Sequence, residues 1–186
     1  MYTWHVTFDD KPAVQEIAAR AQARLAGLPG LDLVPGRWLH LTVQGVGFTD
    51  EAAASEVRLI VNSARTRLAS LPPLRVTLGP ARVASEGVAL DVSPRGELAA
   101  LRARLRTTIA EVLAADRLLE TEEWTPHVSI AYCNTSAGAG PYVAALAGEH
   151  NTAEVRIDQV QLIVLGRDHH SYEWTVYEDA RLTGNA

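Results

Sequence analysis

Two short stretches carry groups that could move protons together: "HLTV", beginning at His40, and "HVSI", beginning at His127. In each, an imidazole stands two residues before a hydroxyl, with apolar residues between and beyond. On an extended strand successive side chains alternate between faces, so His40 and Thr42 share one face, as do His127 and Ser129. An unperturbed imidazole titrates near pH 6.5, which lets one histidine accept a proton while a second donates one. Hydroxyls beside them can donate hydrogen bonds to a developing oxyanion. Two such pairs across one cleft would hold a small anionic group between a base, an acid and two donors.

The bare spacing does not single these pairs out, because His5, His150 and His169 also precede Thr7, Thr152 and Ser171 by two positions. The flanks separate them. "EHNTA" and "DHHSY" are polar and read as loops or strand ends, whereas "WHVTF" alternates as the two leading pairs do. Position in the chain then separates His5. The order strand, helix, strand occurs twice, and Tyr2 to His40 and Val88 to His127 each span roughly 40 residues, the size of one supersecondary repeat. His40 and His127 fall on equivalent strands, while the counterpart of His5, in "GVALDV", carries no histidine. His5 remains a candidate substrate contact, and its loss is expected to matter far less.

The elements that must position these residues follow from periodicity. "YTWHVTF" reads as a strand and "KPAVQEIAARAQARLAG" as a helix opened by Pro12. "PGLDLVPG" reads as a loop, "RWLHLTVQGV" as a strand, and "TDEAAASEVRLIVNSARTRLAS" as a helix capped by Thr49 or Asp50. "LRVTLGPARV" closes the first half as a strand. The second half restarts with the strand "GVALDV", a helix from "SPRGEL" capped by Ser93, and the strand "WTPHVSIAYCN". A loop and a short helix at "YVAALAG" follow. Two strands, "EVRIDQVQLIVLG" and "YEWTVYEDARL", end the pattern, joined by a turn at "RDHHS". No low-complexity linker divides the halves, so a single domain of two packed lobes is expected, about 1–84 and 85–186.

Composition narrows the ligand. The chain has 186 residues, 47% of them hydrophobic, and a formal net charge of -5. That balance argues against coating long nucleic acid, which draws affinity from many phosphate contacts. Positive charge comes almost wholly from arginine, Lys11 being the only lysine. The single cysteine, Cys133, excludes an internal disulfide, and a reducing cytoplasm and a monomer are expected. No apolar run approaches the roughly 20 residues needed to span a bilayer, so no membrane partner is expected.

"HLTV" and "HVSI", one on a strand of each half, resemble the paired signatures of the 2H phosphoesterase superfamily, over essentially the whole chain. Size, element order and the tail "VQLIVLGRDHHSYEWTVYEDARL" are most similar to the bacterial 2′-5′ RNA ligase and cyclic phosphodiesterase branch. The resemblance implies an α/β (α+β) fold, with two antiparallel sheets lining a central cleft and helices outside. It implies chemistry on 2′,3′-cyclic phosphates or 2′-5′ linkages, in RNA ends or small nucleotides, with no metal and no cofactor. His40 and His127 would be general acid and base, and Thr42 and Ser129 would bind phosphate. The competing function is a non-catalytic RNA-end or nucleotide-binding module of the same fold.

Other side chains are weighed by place. Strand alternation puts Gln44 on the face of His40, and Ala131 and Cys133 on the face of His127. Cys133 reads as a small apolar filler rather than a nucleophile. Trp38, Trp124, Tyr132 and Tyr172 could stack a base. Tyr172 and Arg167, flanking the last turn, are candidate contacts to base and phosphate. Asp168, His169 and His170 are similar to part of the signature of metal-dependent DHH phosphoesterases. Such a site needs further aspartates on strand ends, and adjacent histidines do not easily place two ligands on one ion, so no metal is assigned.

Overall fold

In the computed structural model the residues described are 1–114, 117–118, 124–136, 138–166 and 172–185. Along the chain run β1 (Tyr2–Thr7), α1 (Pro12–Leu25), β2 (Leu31–Leu33), a short 3-10 turn (Gly36–Trp38), β3 (His40–Gly47) and α2 (Ala54–Leu68). Then follow β4 (Leu74–Ala84), β5 (Gly87–Ser93), α3 (Arg95–Ala110), β6 (His127–Cys133), α4 (Gly140–Ala145), β7 (Ala153–Ile157), β8 (Gln159–Gly166) and β9 (Glu173–Arg181). Two antiparallel sheets result, one in the order β3-β1-β8-β9 and the other β2-β6-β5-β4-β7. The mixed fold with two antiparallel sheets is the one the family resemblance implied.

Each helix exists because its apolar residues recur at helical spacing. Val14, Ile17, Ala21 and Leu25 bury one stripe of α1, which packs on the second sheet at β4, β6 and β7. Val57, Ile60, Ala64 and Leu68 do the same for α2, and Leu98, Leu101 and Leu105 for α3. These two helices pack together and reach the first sheet at β9 and β3 respectively. No helix among the described residues is long and apolar enough to cross a membrane.

The sheets do not divide the chain at residue 84. β4, from the first half, pairs with β5, and β8, from the second half, pairs with β1. Each half's opening strand therefore lies between its own histidine strand and a strand lent by the other half. The expected single strand "EVRIDQVQLIVLG" is where one exchange occurs. It breaks at Asp158, so that β7 pairs with β4 in one sheet and β8 with β1 in the other.

Local differences have local causes. "PGLDLVPG" is not all loop, since Leu31–Leu33 pairs with Cys133–Ala131 and supplies an edge strand beside β6. α2 starts later than expected, because 48–52 close a turn through Ala52 N donating to Phe48 O at 3.0 Å. Its cap is Ala53, whose N–H donates to the Glu56 carboxylate at 2.9 Å, rather than Thr49 or Asp50. Ser93 does not cap α3; it is still paired with Thr77 as the last residue of β5.

Candidate active site

The histidine strands share a device that alternation does not reveal. On β3, His40 pairs with Thr7 and Thr42 with His5, but Gln44 then pairs with Trp4, leaving Val43 as an extra residue. On β6, His127 pairs with Asp91 and Ser129 with Ala89, and Ala131 then pairs with Val88, leaving Ile130 extra. Both strands thus bulge immediately after the hydroxyl residue. A bulge bends the strand, sharpens its twist and re-aims the side chains on either side of it. On β6 it also brings the partner backbone close: a Cβ at Gly87 would meet Ala131 O at 2.0 Å, so that position takes only glycine.

The bulges correct two expectations: on β6, Ala131 pairs with Val88 and so leaves the face of His127, and Cys133 goes with it. Gln44 does not share the cleft face of His40, because the extra residue passes it to the face of buried Trp4. There its side-chain oxygen accepts a hydrogen bond from Arg102 Nε of α3 at 3.0 Å, and the residue is 3% exposed.

His40, Thr42, His127 and Ser129 line one cavity of about 280 Å³, together with Thr3 and His5 of β1. Two wider openings share its walls. One, about 920 Å³, adjoins it at Glu86, Tyr132 and Tyr172, and the other, about 520 Å³, at Thr42, Glu86, His127 and Ser129. The histidines therefore line a cavity that is continuous with both openings.

Both imidazoles are tied in the same way. His40 Nδ1–H donates to Trp38 O at 2.8 Å, and His127 Nδ1–H donates to Thr125 O at 2.8 Å. A carbonyl can only accept, so each neutral ring carries its proton on Nδ1 and leaves a bare Nε2 for chemistry. The settings differ. His40 is 8% exposed, and burial, with the neighbouring charge of His127, pulls its pKa down to about 4 against the contact with Trp38 O. His127 is exposed. His5 stacks flat on His40, ring centroids 4.4 Å apart and planes 4° off parallel, and Trp174 meets both rings edge-on at 5.7 and 5.0 Å.

A family model described as the 2′-5′ RNA ligase superfamily matches residues 5–169, a span that includes both bulged histidine strands. The chain belongs to that superfamily. Among solved structures, TT0787 of Thermus thermophilus superposes with a TM-score of 0.76 at 19% identity, covering 100% of both chains. E. coli LigT in its apo form gives 0.70 at 16% identity, over 98% of this chain and 96% of that one. LigT complexed with 3′-AMP gives 0.69 at 17% identity, with the same coverage. At these identities the likeness is one of fold. No curated protein matches the chain by sequence.

In this member of the 2′-5′ RNA ligase superfamily, the remaining residues singled out from the sequence separate by position. Tyr172 lies at the cavity wall, 6.3 Å from the His40 ring and 5.4 Å from Tyr132, each edge-on. Trp124 is structural at its indole nitrogen, donating to Thr42 O at 3.0 Å and so covering the open edge of β3. Trp38 supplies the carbonyl that holds His40. Arg167 and the stretch Asp168, His169 and His170 lie outside the described residues. Among the described residues, no three His, Cys, Asp or Glu side chains converge as a metal site requires. Sequence reasoning missed Glu86, which borders all three openings, and Trp174, which closes over both stacked rings. Glu86 sits in the β4–β5 turn and carries no periodic signal. Trp174 shares its strand with other aromatics and does not stand out.

Proposed function

We propose that the chain is a phosphoesterase acting on 2′,3′-cyclic phosphates or 2′-5′ phosphodiester bonds, at RNA ends or in small nucleotides. The observation that carries this reading is the matched tether. Two rings, both held through Nδ1, present two Nε2 atoms to one small cavity that also holds a hydroxyl from each strand. In cleavage, one Nε2 takes a proton from water as the water oxygen bonds to phosphorus. The bond from phosphorus to the 3′ oxygen breaks, and the other histidine gives that oxygen its proton. The product is a 2′-phosphate beside a 3′-hydroxyl. With an RNA 5′-hydroxyl in place of water, the same steps make a 2′-5′ bond, and in reverse the histidines exchange roles.

Thr42 and Ser129 donate to the nonbridging oxygens, sharing with the protonated histidine the charge that builds there in the transition state. That arrangement asks for no metal or cofactor. An anionic phosphate entering the cleft raises the pKa of His40, since a nearby opposite charge favours the protonated ring. The 280 Å³ cavity suits a phosphate and its sugar, with base and chain lying in the wider openings. Solved complexes of LigT with 3′-AMP, ATP and NADP+ support a nucleotide as the ligand class. The net charge of -5 favours a terminus or small molecule over a long duplex.

Turnover of 2′,3′-cyclic nucleotides and of RNA ending in a cyclic phosphate, in excess EDTA, tests the reading. Cleavage to a 2′-phosphate is expected, lost in both His40→Ala and His127→Ala. Full activity in either variant would overturn the assignment. Tight retention of these ligands without conversion would make the protein a binding module.

A further inference from the structure

His5 lies outside the two-histidine scheme, yet the structure places it in the site. It is 0% exposed, is stacked on His40, and has Nε2 3.2 Å from Thr42 Oγ1. Its other nitrogen, Nδ1, is buried with no hydrogen-bond partner among the described residues. Of the two hydroxyls that flank it on β1, Thr3 Oγ1 is buried and unpartnered too and Thr7 Oγ1 donates to Gln161 Oε1, so neither serves Nδ1. The position equivalent to His5 in the second sheet, opposite Ser129, is Ala89.

The two neutral tautomers have different consequences. With the proton on Nδ1, a buried N–H would lack any acceptor, and Nε2 would be an acceptor that claims the Thr42 hydroxyl hydrogen. With the proton on Nε2, the unpartnered atom is only a lone pair, and the hydrogen bond to Thr42 runs the other way. Unpaired buried N–H groups are rarer in folded proteins than under-used acceptors. We infer that His5 is a positioning residue: it holds its proton on Nε2, donates it to Thr42 Oγ1, and leaves the Thr42 hydroxyl hydrogen to point at a nonbridging phosphate oxygen. The role given to Thr42 rests on the phosphoesterase reading. Burial and the charge of His40 keep the ring neutral by lowering its pKa well below the ordinary value, so the two tautomers are the states that compete. Trp174, edge-on to the stack, holds the ring plane that the bond requires.

Nitrogen-15 NMR of the imidazoles reads the tautomer directly, and His5 is expected to be protonated at Nε2. His5→Phe keeps a stacked ring without the bond. It should lower kcat/KM for a 2′,3′-cyclic nucleotide, and affinity for inorganic phosphate, about tenfold. His5→Gln, whose amide nitrogen reaches the place of Nε2, should restore most of both. In a Thr42→Val background, His5→Phe should have no further effect, whereas a merely structural role would cost the same again. Protonation at Nδ1, an unaffected His5→Phe, or additive losses would each overturn the inference. If the wild-type protein turns over no cyclic phosphate, the functional reading fails, and the tautomer and phosphate titration still decide the role of His5.

Discussion

His40 on β3 lies against a second imidazole and beneath Trp174 at 8% exposure, whereas His127, at the matching place on β6, faces solvent. The backbone around the two is the same: a carbonyl two residues back accepts from Nδ1, and a bulge follows the hydroxyl. The difference comes from the neighbouring strand. β1 offers His5 opposite Thr42, and β5 offers Ala89 opposite Ser129. Equal tethers with unequal burial leave His40, the packed ring of the two, with its pKa lowered to about 4. In the acid–base reading proposed above, such packing tunes one histidine without changing the motif.

The comparison breaks most visibly if either histidine is removed. His40→Ala and His127→Ala should each lower kcat/KM by about a thousandfold. A thermal melt should separate them, because only the buried ring leaves a gap in packing. Activity surviving in one variant alone would mean that the two strands are not equivalent in function.

Acid should act on the buried side. The pKa of His40 falls from 6.5 to about 4 on folding, and that of His5 also falls. Between those pH values the unfolded chain binds more protons, so the stability is fully present above pH 6.5 and is lost as the pH falls through 4. For His40 alone the loss is ~3 kcal/mol. Urea midpoints across this range should flatten in a His5→Phe, His40→Phe double variant. An unchanged slope would mean that neither ring is buried in its neutral form.

A smaller effect is expected at the ring that lies edge-on to the stack. Trp174→Ala admits water to the stack, and His40 should then titrate closer to 6.5 in an NMR titration, with His127 unmoved. A shift at His127 of equal size would show that Trp174 shields the whole cleft. The least effect belongs to Gln44→Leu, which should leave kcat/KM within about twofold while lowering stability by ~1 kcal/mol through its lost contact with Arg102. A marked rise in KM would return Gln44 to the cleft.

The candidate cavity was legible because strand alternation and the repeat both point to His40, Thr42, His127 and Ser129, and these four line it together. What failed was extrapolation along the strand. The bulge that moves Gln44 depends on the partner strand, which no local pattern encodes. The repeat ranks His5 only as a substrate contact because its counterpart lacks a histidine, and that same absence marks the asymmetry of the cavity. The fold class followed from the family resemblance carried by "HLTV" and "HVSI", but the exchange of strands did not. An apolar run such as 153–166 looks continuous whether its two pieces serve one sheet or two.

That exchange bears on the order of synthesis. The sheet that houses His40 needs β8, which ends at Gly166, to cover the far side of β1. The histidine strand that leaves the ribosome first is therefore in the sheet that closes last, and at ordinary elongation rates of ~5–20 residues per second the β1–β3 pair waits on the order of ten seconds for β8.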